Sequence, residues 1–177
     1  MKNLTDEQLM LLINKGDLKL MQLLFDRYNV RLFNYCLKLT KNRVASEDIM
    51  QETFYKVIRH RQSFKNKTFS AWVFTITRNL CYDYLKKTKT NQLQTESLSD
   101  DSEHNLKEDN QTKERIKQLN KALDQLDAFD RELIVLSRYQ RMKYKEIAEV
   151  LDASESAIKT RMHRALQKLK TYYFNSN

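Results

Sequence analysis

The chain has 177 residues, 32 of them basic and 23 acidic, for a formal net charge of +9, and 41% are hydrophobic. One glycine and no proline leave sandwiches, barrels and Rossmann-type sheets without the turns they need, and leave no glycine-rich phosphate loop. What remains is an all-α, basic chain, long enough for one large or two small domains.

In the first ninety residues the apolar positions recur at helical spacing throughout. Thr5 and Gln8 have the spacing of a capping box ahead of the apolar run Leu9–Ile13, and Gly16 is placed to end that helix. Asp17 is expected to start a long helix carrying Leu20, Leu23, Leu24, Val30, Phe33 and Leu37. Ser46 is the expected cap of the next helix, with Glu47 and Asp48 in its first turn. There Met50, Thr53, Phe54, Val57 and Ile58 form the expected buried face, and Asp48, Gln51, Glu52, Tyr55 and Arg59 the opposite one. Such an acidic patch in a basic domain repels nucleic acid and suits either solvent or a basic protein partner. Thr68 or Ser70 opens a further helix to about Lys87. Its polar sector holds Arg78, Asn79, Tyr82, Asp83 and Lys86, with Trp72 at the border. Ahead of it runs the loop Phe64-Lys65-Asn66-Lys67-Thr68-Phe69. Cations beside aromatic rings suit unstacked, single-stranded bases; the other reading of Phe64, Phe69 and Trp72 is plain core.

Residues 91–114 carry 2 basic and 7 acidic side chains, three leucines and no aromatic ring. Such a segment cannot bury enough apolar area to offset its ordering entropy, so a flexible acidic linker is expected between domains at 1–90 and 115–177. It is either a solvated tether or a nucleic-acid mimic lying in a basic channel. Beyond it, three short helices follow a lead-in from about Glu114: Ala128–Gln140, capped by Asp127 with Asp130, then Tyr144–Leu151, then Glu155 to about Tyr172, capped by Ser154. Ile158, Met162, Ala165, Leu166 and Leu169 line one face of the last helix. Ser156, Lys159, Thr160, Arg161, His163 and Arg164 lie off that face. Two helices across a three-residue turn, the second with a basic outer face, describe a helix-turn-helix that reads duplex DNA; a solvated basic face is the alternative.

Other chemistry is not indicated. The longest apolar run, Leu9–Ile13, is far short of the ~18 residues of a membrane span. Cys36 and Cys81 read as reduced core thiols of a cytoplasmic protein. His60, His104 and His163 lack ligand spacing, so no metal or other cofactor is expected, and no catalytic set appears.

Taken together, these stretches resemble the two-domain extracytoplasmic-function (ECF) sigma factors of bacterial RNA polymerase, over roughly 17–87 and 119–172. Asp48-Ile-Met-Gln-Glu-Thr-Phe54 resembles the family's stretch that docks on the β′ clamp helices of core polymerase. Phe69–Lys87 resembles the segment that melts and reads the minus-ten element, with Asn79, Asp83 and Lys86 at its motif positions, and the Phe64–Phe69 loop the one that captures a flipped base. Glu146-Ile-Ala148 and Ser154–Ala165 resemble the helix-turn-helix of the minus-thirty-five element, and the acidic segment resembles the connector directed to the RNA exit channel. The resemblance implies an all-α sigma factor that is not an enzyme and partners core polymerase, promoter DNA both duplex and single-stranded, and an anti-sigma factor. Departures from the family pattern are Asp127 for a common proline, Arg141 and Asp152 for glycines, Lys143 for a capping hydroxyl, Ala157 for threonine and Lys86 for arginine. The rivals from other classes are a stand-alone operator-binding regulator and a single-strand RNA-binding protein.

Overall fold

A computed structural model describes residues 4–65, 68–92 and 110–175. These are helical throughout, without a strand, and the chain divides into two compact units, an N-terminal and a C-terminal one. The predicted linker is helical at both ends: α4 continues through Gln92 and α5 begins at Asn110, while residues 93–109 of the expected connector lie outside the described residues.

In the N-terminal unit, α1 (Asp6–Asn14) opens on the predicted capping box, with Thr5 Oγ1 accepting from Gln8 N–H at 3.2 Å and Gln8 Oε1 from Thr5 N–H at 2.9 Å. It closes on a Schellman turn, in which Gly16 at φ +111° donates to Ile13 O and Asp17 N–H donates to Leu12 O. Asp17 does not cap the helix that follows. A 3-10 turn at Leu18–Leu20 leads into α2 (Met21–Thr40) without a side-chain cap. Lys41, at φ 54°, reverses the chain, and Asn42 caps α3 (Arg43–Arg59) by accepting from Ala45 N–H at 2.9 Å. The expected cap, Ser46, is instead a buried residue of the first turn, donating back to Asn42 O at 2.6 Å and paired with Thr40 Oγ1 at 2.9 Å. A left-handed residue followed at once by an extended one makes so tight a corner that the helix restarts three residues ahead of Ser46. A further 3-10 turn, Arg61–Ser63, precedes α4 (Phe69–Gln92), capped by Thr68 Oγ1 on Ala71 N–H.

α2, α3 and α4 enclose a core of Leu24, Leu32, Tyr35, Ile49, Val57, Val73 and Phe74. The Thr53 and Thr77 hydroxyls lie 3.2 Å apart inside it, each within reach of the carbonyl four residues back, so neither of the two is left unpaired. Cys36 and Cys81 are buried free thiols, as expected, and the neighbouring Cys81 thiol together with burial holds Cys36 protonated.

Among the described residues the C-terminal unit has four α-helices, where three after a lead-in were predicted. α5 (Asn110–Asp124) packs on α8 (Glu155–Asn175), as does α6 (Ala128–Ile134). Arg131 donates to Leu123 O and Asp124 O and so covers the carbonyls at the end of α5. The predicted helix to Gln140 is α-helical only to Ile134. A π-type turn, Val135–Tyr139, follows, where Gln140 N–H reaches Val135 O. Arg141 at φ 55° and Asp152 at φ 51° occupy left-handed positions, flanking α7 (Tyr144–Leu151), whose predicted bounds hold. Lys143 supplies no capping hydroxyl, and the reciprocal half of a capping box remains, with Glu146 Oε2 accepting the Lys143 N–H at 2.8 Å.

Candidate nucleic-acid and protein interfaces

The turn pitch of α3 puts Asp48, Gln51, Glu52, Tyr55 and Arg59 on one exposed strip, opposite the buried Ile49, Thr53, Phe54 and Val57. The structure adds two residues that sequence reasoning missed. Val44 is 68% exposed and Ile58, expected in the core, is 37% exposed; with Tyr55 they run through the acidic strip. The spacing 44-48-51-55-58 carries that signal. Ile58 sits one position around from Phe54, on the boundary of the two faces, and packing sends Phe54 inward, 4.9 Å from Phe25. The strip therefore combines carboxylates with apolar side chains, a composition for a protein partner rather than for solvent alone.

At the second candidate site, Phe64, Phe69 and Trp72 form one cluster, with ring centroids 5.2 Å apart for Phe64–Trp72 and 6.1 Å for each of the other two pairs. The three are not equivalent. Phe69 is fully buried and packs edge-on to Tyr28 at 5.0 Å, so it is core and no base can reach it. A helix's first residue points back along the axis, and here that direction leads into the crevice between α1 and α2. Its N–H is satisfied by Glu7 Oε1 at 3.0 Å. Phe64 and Trp72 are half-buried on top of it, and Lys65 is exposed; Asn66 and Lys67 lie outside the described residues. Along α4, Asn79, Asp83 and Lys86 are exposed on the strip that begins at Trp72. Arg78 stacks on Tyr82, 4.7 Å from the ring centroid. The polar sector is thus assembled as read, with Phe69 removed and its ring supporting the two that remain.

In the helix-turn-helix, Ser154 caps α8 by accepting from Ala157 N–H at 3.1 Å. Ser156, Lys159, Thr160, His163 and Arg164 are exposed on one broad arc. Lys159 pairs with Glu155 at 2.9 Å, and His163 hydrogen-bonds Gln167 at 3.1 Å. Arg164 makes no ion pair among the described residues. Arg161 differs from the expectation. Its Nε donates to Asp130 Oδ1, its NH2 lies 3.2 Å from both oxygens of Asp127, and its guanidinium stacks on Phe129 at 5.1 Å. Lys168, two turns further along the same flank, joins Asp130 at 2.7 Å and Asp127 at 3.3 Å. The N-cap bond from Asp130 N–H holds the Asp127 carboxyl down at about 2, with Lys168 and Arg161 adding to it. The two carboxylates in turn push Arg161 and Lys168 up. Arg161 is therefore held by three groups of its own unit.

Among known proteins, residues 24–90 match the family model of Sigma-70 region 2, and residues 116–169 that of Sigma-70 region 4, together more than half of the chain. The ECF RNA polymerase sigma factor SigM of Bacillus subtilis is 27% identical over 151 residues, which cover 85% of this chain and 93% of SigM. The chain belongs to the ECF sigma factors. As a sigma factor it directs promoter-specific transcription initiation, with region 2 on the N-terminal unit and region 4 on the C-terminal one. A stand-alone operator-binding regulator would leave the region 2 match without a reason. The fold of the sigma factor is also that of CnrH, solved with the cytosolic domain of CnrY, at a TM-score of 0.73, 23% identity and coverage of 96% and 97% of the two chains. RpoE of Bartonella quintana, solved with the anti-sigma factor NepR, gives 0.72, 23%, 85% and 94%. No described helix is long and apolar enough to cross a membrane.

Proposed function

We propose that the three exposed faces divide the work of initiation. The α3 strip docks on the clamp helices of the β′ subunit: Asp48 and Glu52 meet basic side chains, Gln51 supplies a neutral donor and acceptor, and Val44, Tyr55 and Ile58 bury apolar area between them. Arg59 closes the end of the strip. The Phe64–Trp72 pair, with Lys65, Asn66 and Lys67, receives a base unstacked from the minus-ten element. Arg78, Asn79, Asp83 and Lys86 hold the opened strand along α4, where rings stack bases and cations neutralise phosphates. The outer arc of α8 enters the major groove at the minus-thirty-five element, with Ser154 and Ser156 at its start and Lys159, Thr160, His163 and Arg164 along it.

The observation that carries this reading is that regions 2 and 4 fall on two separately packed helical units with chemically different faces, one acidic and apolar, one aromatic and polar, one basic. The protein acts without catalysis of its own, in the cytoplasm, where its polymerase is. Since CnrH and RpoE were each solved with a partner, an anti-sigma factor is the expected negative regulator. Run-off transcription from a randomised promoter library, with core polymerase, tests the whole. Initiation that depends on the protein at a defined pair of elements supports it. Absence of stimulation, with tight binding of the protein alone to one duplex sequence, would replace it with the operator-binding reading.

A further inference from the structure

The network at the start of α6 has an unusual composition for a DNA-binding face. Two carboxylates and two cations meet there, so its net charge is zero although it borders the basic arc of α8. Asp130 is fully buried, which makes its charge dependent on both partners: an uncompensated carboxylate at that depth is far costlier than a surface ion pair is worth. Asp127 has a second task, as the N-cap of α6. Arg161 and Lys168 stand seven residues apart, which places them on one flank of α8, the flank turned to α6. The guanidinium is oriented by three groups at once, Asp130, Asp127 and the Phe129 ring.

Resting on the reading of α8 as the duplex-binding helix, we propose that Asp127, Asp130, Arg161 and Lys168 form a clasp that fixes the rotation of α8 on its unit. Arg161 and Lys168 are thus positioning residues, withheld from DNA phosphates. The clasp orients Lys159, Thr160 and His163 toward base edges, leaves Arg164, unpaired among the described residues, to a phosphate, and limits the phosphate contacts of the helix to the cations outside it. A basic helix whose cations all reached the backbone would bind any duplex; withdrawing two of them lowers non-specific affinity and leaves base-reading side chains to decide the site.

The salt dependence of binding separates a positioning cation from a contacting one. Each phosphate contact contributes about 0.9 to the slope of log K against log salt. The measurement uses holoenzyme assembled from core polymerase and the full-length protein, on a selected promoter and on one with a scrambled upstream element, at a temperature that prevents melting. Arg164→Gln is expected to lower the slope by about 0.9. Arg161→Gln and Lys168→Gln are expected to leave the slope unchanged while shrinking the ratio between the two promoters about tenfold; Arg161→Lys, which can still pair with Asp130, recovers part of that ratio. Asp127→Asn keeps an amide oxygen for the cap but loses the charge, and it is expected to steepen the slope by releasing cations to the backbone. A slope that falls by about 0.9 in Arg161→Gln, or an undiminished promoter ratio in that variant, overturns the clasp. Wild-type holoenzyme that does not distinguish the two promoters overturns the reading of α8 itself, and the clasp with it.

Discussion

Phe64 and Phe69 flank one loop and look alike in the sequence, yet one is half-buried and the other fully enclosed. Removing the Phe69 ring opens a cavity beside Tyr28 and Trp72, so Phe69→Ala is expected to cost about 3–5 kcal/mol, read by chemical denaturation of the full chain. Phe64→Leu retains most of the packing and is expected to stay within about 1.5 kcal/mol of wild type. It should nevertheless suppress open-complex formation, measured by permanganate reactivity of unpaired thymines. The opposite pattern, a destabilising Phe64 and a silent Phe69, would exchange their roles. Among the described residues, Lys41, Arg141 and Asp152 carry backbone strain. At φ 55° and 51°, Arg141 and Asp152 hold a conformation that costs an L-residue roughly 1–2 kcal/mol, less for aspartate. Arg141→Gly is accordingly expected to stabilise the protein by about 1 kcal/mol and Asp152→Gly by less, as shifts of the denaturation midpoint.

At the scale of elements, the start of α3 shows how a helix boundary moves. Asn42→Ala is expected to cost about 1 kcal/mol, and Asn42→Asp nearly nothing, because either side chain can accept Ala45 N–H. Ser46→Asp separates the two candidate caps. Aspartate is welcome at an N-cap, but at the buried Ser46 it places a carboxylate in the core, and loss of folding by circular dichroism is expected. The start of α6 has a pH signature. Because the Asp127 pKa is about 2 in the folded protein, below its ordinary value of 3.8, its contribution to stability is complete above about pH 4 and is lost as pH falls toward 2. Asp127→Asn, which cannot titrate, should remove that part of the acid slope. An unaltered slope would show that Asp127 does not hold its proton off in the folded state. Half-exposed as Asp127 is, the effect should also shrink in high salt.

For the whole molecule, charge reversal at Asp48 and Glu52 is expected to abolish assembly with core polymerase by gel filtration while leaving helicity intact, since both side chains are exposed. Assembly that survives it would move the polymerase contact off α3. The division into two helical units, the order of the helices and the faces of α3, α4 and α8 were legible in the sequence, because an amphipathic helix writes its buried side into the 3.6-residue repeat. So were the polar caps at Thr5, Asp127 and Ser154, and Thr68 as one of two candidates, where a side chain acts on backbone within three residues of itself. The start of α3, the π-type turn after Ile134 and the true length of α5 were not, because each depends on which neighbouring backbone group is free to pair. What surrounds Phe69 and Arg161 was not legible for a related reason. Periodicity says which way a side chain leaves its helix, but only the packed fold says what stands there: Tyr28 and α1 beside Phe69, Asp127 and Asp130 beside Arg161. Local spacing marked out an all-α, basic, two-unit chain, because a helix repeats its buried side every 3.6 residues, and long-range packing decided which of its exposed-looking residues are enclosed or ion-paired.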